Sequence, residues 1–147
     1  MSDQNTSGGA AIPTDMTWRQ LKPLYALVGF AEFPSARALE LALGEEGGQV
    51  IVEGGETTLL VPMNALEEVR RLHPAARAEV DLVGYRFESP MGWEVVGFLA
   101  LVTRCLAERG IPVCALCAYS RDYVLIAKRY ESNARQALAQ LFPETSS

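Results

Sequence analysis

Groups able to bind a small charged molecule gather in two short stretches, Glu88–Glu94 (ESPMGWE) and Tyr119–Asp122 (YSRD). Ser89 followed by Pro90 reads as a helix start, with serine as the cap and proline at the first helical position. A helix start offers unpaired backbone N–H groups and a partial positive charge, which suit a carboxylate. Gly92 lets backbone approach a ligand closely. Asp122 offers a carboxylate to an ammonium or guanidinium group. Trp93 and Tyr119 can supply walls. An anion site beside a cation site is what a zwitterionic amino acid requires. The same residues also have plainer uses: a cap, a turn aspartate bonding its own backbone, and a core tryptophan.

Other chemistry finds little support. Cys114 and Cys117 form a CxxC within an expected strand. Residues three apart on a strand point to opposite faces, so the pair is expected to be structural and not a disulfide or metal site. The third cysteine, Cys105, has no nearby partner in sequence, and an odd, sparse set of free thiols suits a reducing compartment, the cytoplasm. A zinc site needs about four ligands, and the single histidine, His73, follows a helix end, where it is expected to meet terminal carbonyls. Gly47-Gly48 and Gly54-Gly55 flank a short strand and read as turns, not as a phosphate loop. Glu45-Glu46 reads as a solvated turn. With no catalytic group in view, the expectation is a binding protein without cofactor, not an enzyme.

Apolar residues make up 49% and charged residues 21% of the 147 positions, a balance suited to a folded core. Net charge is -5, with Arg and Lys scattered, which argues against a nucleic-acid partner. The longest strongly apolar run, Val95 to Val102, is far short of the roughly 20 residues that span a bilayer. Residues 1–15 are small and polar and are expected to form a disordered tail, with no secretory signal pattern; 144–147 form a second tail.

Helices and strands follow from the apolar pattern and the turn residues. Tyr25–Ala31 reads as a strand. Ser35 caps a helix over Ala36–Leu43, with Gly44 at its end. Gln49–Glu53 and Thr57–Val61 form a hairpin about Gly54-Gly55. Asn64 and Glu67 suggest a capping box for a helix over Ala65–Leu72. Glu79–Phe87 is a strand, Gly92–Arg109 a helix stopped by Gly110 and Pro112, Val113–Tyr119 and Tyr123–Ala127 a second hairpin. Ser132 caps a last helix with Ala134, Ala137, Leu138 and Leu141 on one stripe. Each half reads β-α-β-β-α: 16–75 and 76–143. The expected class is α+β, two ferredoxin-like units whose antiparallel sheets carry helices on one face. A right-handed crossover would bring the loop after Phe87 and the turn after Tyr119 to one edge of the sheet.

The segment Ser89–Ala127, SPMGWEVVGFLALVTRCLAERGIPVCALCAYSRDYVLIA, resembles the ACT-domain superfamily of small-molecule-binding regulatory modules, closest to the tandem-ACT proteins that include the CASTOR arginine sensors. GETTLLVP, Gly55 to Pro62, is more weakly similar to the first unit of that group. The resemblance implies side-by-side ACT units with an effector at their interface. It places ligand contacts at Ser89, Met91, Gly92, Trp93 and Glu94 and at Ala118, Tyr119 and Asp122. Two departures stand out. Many bacterial relatives carry His-Asp-His where this chain has Arg121-Asp122-Tyr123, and FAEFPSAR, Phe30 to Arg37, lacks the loop glycine, so no second pocket is expected. The expected function is amino-acid sensing by a homodimer. The alternative is a structural or adaptor subunit that holds a protein partner through its sheet edges.

Overall fold

A computed structural model describes residues 9–44 and 46–145. One six-stranded antiparallel sheet runs through both halves in the order β2-β3-β1-β4-β6-β5. The strands are β1 (Trp18–Phe30), β2 (Gln49–Glu53), β3 (Glu56–Pro62), β4 (Arg77–Phe87), β5 (Cys114–Cys117) and β6 (Asp122–Ala127). The helices are α1 (Ala36–Leu43), α2 (Leu66–Leu72), α3 (Phe98–Ala107) and α4 (Glu131–Leu141). Each half is a β-α-β-β-α unit, and the long strands β1 and β4 join them.

Strand β1 starts seven positions earlier than the apolar run suggests, at Trp18 in place of Tyr25. Arg19, Gln20, Lys22 and Pro23 hide it. Pro23 falls inside the register shift between Gln20 and Leu24, where a ladder bond is already missing and proline is tolerated. A second shift places Asp81 at φ +53. Aspartate enters that region more readily than most residues. The bulge switches which residues of β4 face the helices: Ala78 packs on the first half's core, and Val83, Tyr85 and Phe87 on the second's.

The helices cover one face. Phe98, Val102 and Leu106 of α3 and Ala134, Ala137 and Leu138 of α4 pack on Val83, Tyr85, Phe87, Val124 and Ile126. Ala38, Ala42, Leu66 and Val69 do the same over Ala26, Val28, Leu59 and Val61. Each large side chain buried this way contributes about 1.5–3 kcal/mol. The opposite face is also dry: Leu21, Tyr25, Leu60, Leu116 and Leu125 bury one another. The loop between α1 and β2 lies against them, with the Tyr25 hydroxyl donating to the Glu46 carbonyl and Gly47 seated against Leu21 and Tyr25. The sheet curls so far that its edge strands β2 and β5 flank one space of about 300 Å³.

Several local expectations are corrected. Asn64 and Ser132 cap nothing: Asn64 lies in a 3-10 turn ahead of α2, and Ser132 lies inside α4. Glu46 is no solvated turn residue; it pairs with Arg19 and Arg86. His73 does not meet terminal carbonyls with its ring: Nε2 accepts the Ser35 amide at 3.1 Å. The tail expected over residues 1–15 lies outside the described residues as far as residue 8. From Ala10 the chain pairs with the loop before α3. Glu144 pairs with Trp18.

Candidate functional site

The helix expected over Gly92–Arg109 is shorter at its start, and this makes the site. Residues 88–97 form an irregular loop, and α3 begins at Phe98 after Gly97, whose φ is +87. A left-handed residue cannot continue a right-handed helix, so the apolar run from Val95 is cut at Gly97. The N-cap position is therefore a glycine without a side chain, and no side-chain cap bond forms. The first turn contains no acidic residue. Its amides keep the partial positive charge of a helix start.

That helix start opens on a cavity of about 650 Å³, within the usual range for small-molecule sites. The floor is the edge of the core: Met91, Val95, Phe98 and Leu99 line the cavity and also pack on the second half's cluster. The far wall is the β5–β6 turn, Cys117 to Asp122. Cys117 and Asp122 are the last cross-strand pair of that hairpin. Burial, together with hydrogen bonding to the Asp122 carboxylate and its charge, pushes the Cys117 thiol up to about 11. At neutral pH it stays a thiol and is not an activated nucleophile. Trp93 and Tyr119 stand at the rim fully exposed, at 101% and 105%.

Two hydrogen bonds lock the loop to the turn. The Met91 amide donates to the Ser120 carbonyl at 2.7 Å, and Arg121 Nε donates to the Glu88 carbonyl at 3.0 Å. A third support comes from the N-terminal segment. The Ala10 amide donates to the Glu94 carbonyl at 2.8 Å and the Val96 amide to the Ala10 carbonyl at 3.2 Å. A Cβ at Gly9 would run into Val96.

Behind the loop lies a charge cluster. Glu88 takes Arg19 Nε and Arg86 Nε, each at 3.0 Å, and Arg19 and Arg86 both pair with Glu46. Burial opposes the charge on Glu88, but the hydrogen bonds from Arg86 and Arg19 outweigh it and hold the carboxyl below its ordinary range. The cluster ties β1, β4 and the α1–β2 loop to the residue that starts the cavity loop.

The equivalent place in the first half holds a smaller opening of about 200 Å³, lined by Phe30, Ala31 and Gly55 and not by the start of α1. Ser35 Oγ accepts the Ala38 amide at 3.3 Å and caps α1. The His73 ring sits against Ser35 and edge-on to Phe30, with ring centroids 5.0 Å apart. The equivalent helix start thus carries the side-chain cap that α3 lacks.

Of the residues expected from sequence, Met91, Gly92, Trp93, Ala118, Tyr119 and Asp122 line the cavity. Ser89 and Glu94 do not. Ser89 caps no helix; its hydroxyl donates to the Asp15 carbonyl at 3.2 Å. Glu94 is engaged through its carbonyl with Ala10. Strands β4 and β5 are not neighbours, since β6 lies between them; the loop and the turn meet nonetheless because both leave the same end of the sheet. Sequence reasoning missed Val95, Gly97 to Ala100, Cys117, Ser120 and Arg121. Gly97, inside an apolar run, was the available signal. Among the described residues no three His, Cys, Asp or Glu side chains stand together as a metal site, and no helix is long and apolar enough to cross a membrane.

Residues 82–140 match the family model of the ACT domain. This span holds most of β4, the cavity loop, α3, the second hairpin and nearly all of α4. No curated protein matches the chain. Among solved structures, a protein from Agobacterium tumefaciens aligns with TM-score 0.71 at 15% identity, covering 90% of this chain and 92% of that one. A protein of unknown function from Vibrio cholerae aligns with TM-score 0.62 at 21% identity, covering 86% and 89%. The ligand-free regulatory subunit of aspartate kinase from Thermus thermophilus aligns with TM-score 0.61 at 20% identity, covering 88% and 97%. At these identities the likeness is one of fold.

Proposed function

We propose that the chain is a regulatory protein of the tandem-ACT type that binds an amino acid in the cavity between the residue 91–97 loop, the start of α3 and the β5–β6 turn. The observation that carries this reading is an uncapped helix start and the Asp122 carboxylate lining one apolar-floored cavity. The α3 amides and Arg121 supply a carboxylate site, and Asp122 supplies an ammonium site. The ACT-domain match over this half and the regulatory subunits among its structural neighbours support a sensing role. The paired-unit arrangement of the CASTOR-type group is the form proposed for that role, with the identity of the amino acid set by this chain's own cavity lining. No catalytic step is assigned to the site, and the cytoplasm is its proposed location.

The protein acts as a homodimer in this reading, since the β2 and β5 edges and the exposed Ile51 and Val52 beside them call for a covering surface. Ligand then shifts association by binding one state more tightly. A thermal-shift screen over the twenty amino acids tests the proposal. Ligand at 100 times its Kd raises stability by about 2.7 kcal/mol, so one or a few amino acids should raise the melting temperature. No shift with any of them refutes it. The same exposed edges favour a second reading, an adaptor that holds a protein partner, and that reading gains if every amino acid is silent and a strict monomer sediments at micromolar concentration.

A further inference from the structure

We propose that the ligand is an α-amino acid with a bulky apolar side chain, and that the cavity excludes lysine and arginine. This rests on the amino-acid reading above and names its substrate class. The cavity has one carboxylate among its described lining residues, Asp122. An amino acid's own ammonium uses it. A second cation, at the end of a lysine or arginine side chain, finds no acid left: Glu94 is outside the lining, and Glu88 is already held by Arg19 and Arg86. Taking an unpaired charge out of water is strongly unfavourable. The surface available to the side chain is instead Met91, Val95, Phe98 and Leu99, each continuous with the core. Cys117 beside them remains a neutral thiol and behaves as a small apolar group. A volume of about 650 Å³ leaves room for leucine, methionine or phenylalanine beyond the polar end.

Isothermal titration calorimetry of the full chain with leucine, methionine, phenylalanine, glycine, lysine and arginine tests the assignment. The expected result is binding by at least one of the three apolar amino acids, at least tenfold tighter than glycine, lysine or arginine. Leu99→Ala should weaken the apolar ligand about tenfold or more through lost contact area, with glycine unchanged; Val95→Ala serves as the second variant if Leu99→Ala fails to fold. Binding of lysine or arginine as tight as or tighter than the apolar three overturns the side-chain class and leaves the amino-acid reading standing. Silence from the three apolar amino acids while any other amino acid shifts the melting temperature also overturns the side-chain class alone, and silence from all twenty in the thermal-shift screen overturns both.

Discussion

The Met91 amide donates to the Ser120 carbonyl at 2.7 Å. The bond joins the loop after β4 to the turn between β5 and β6, and Arg121 repeats the tie in the opposite sense through the Glu88 carbonyl. Both walls of the cavity are therefore fixed to each other before any ligand arrives. Pre-organisation of this kind reduces the ordering cost of binding.

Removing the Arg121 side chain cuts one of those ties. A hydrogen bond from a charged donor contributes about 2 kcal/mol, so Arg121→Ala should lower the melting temperature by about 4–8 °C in a chain of this size. Calorimetry of wild type and variant without ligand reads this directly. An unchanged melting temperature would mean that the loop and the turn are held without Arg121.

Asp122→Asn keeps shape and removes charge. The unliganded protein should melt within a few degrees of wild type. Amino-acid binding should weaken about 10- to 100-fold, the worth of a charged hydrogen bond. Titration calorimetry of the two proteins with the same amino acid makes the comparison, and equal affinity would remove Asp122 from the site.

The two loop glycines should respond differently. Gly97 has φ +87, so Gly97→Ala strains the backbone by about 1–2 kcal/mol although nothing stands within 4 Å of the added methyl. Gly92 lies outside the left-handed region and also faces open space, so Gly92→Ala should fold with little loss. Chemical denaturation of both variants checks the contrast.

Glu88 gives a pH signature. Its folded-state pKa is depressed, so its contribution is present above the unfolded-state carboxyl range and is lost as pH falls through the folded value. Wild type should lose more stability than Glu88→Gln between pH 6 and pH 3, and the two melting curves should converge at the acid end. Parallel curves across that range would show that Arg19 and Arg86 do not hold the carboxylate as described.

Much of the architecture was legible in the chain. Ser35 capping α1, the Gly54-Gly55 hairpin, the left-handed Gly110 and the α4 stripe through Ala134, Ala137 and Leu138 all follow local rules and appear as read. What escaped depends on contacts between distant residues. Trp18 opens β1 because β4 supplies its partner Phe87, and its indole donates to the Phe142 carbonyl at 2.8 Å. The polar stretch Arg19 to Pro23 conceals that strand. The α3 start was misread because Ser89-Pro90 carries a helix-opening signature. In the fold its members are used elsewhere, with the Ser89 hydroxyl on Asp15 and the Met91 amide on Ser120. Arg121 looked like a turn residue, and only the folded chain brings it to the Glu88 carbonyl.

Amide chemical-shift mapping by NMR locates the bound amino acid on the fold. On titration with the amino acid that gives the largest thermal shift, the strongest perturbations are expected at Phe98, Leu99 and Ala100 and at Arg121 and Asp122, with the Ser35–Ala38 amides of the first half still. Perturbations centred on β2 or on the α1 start, with the α3 start unmoved, would contradict the proposed site.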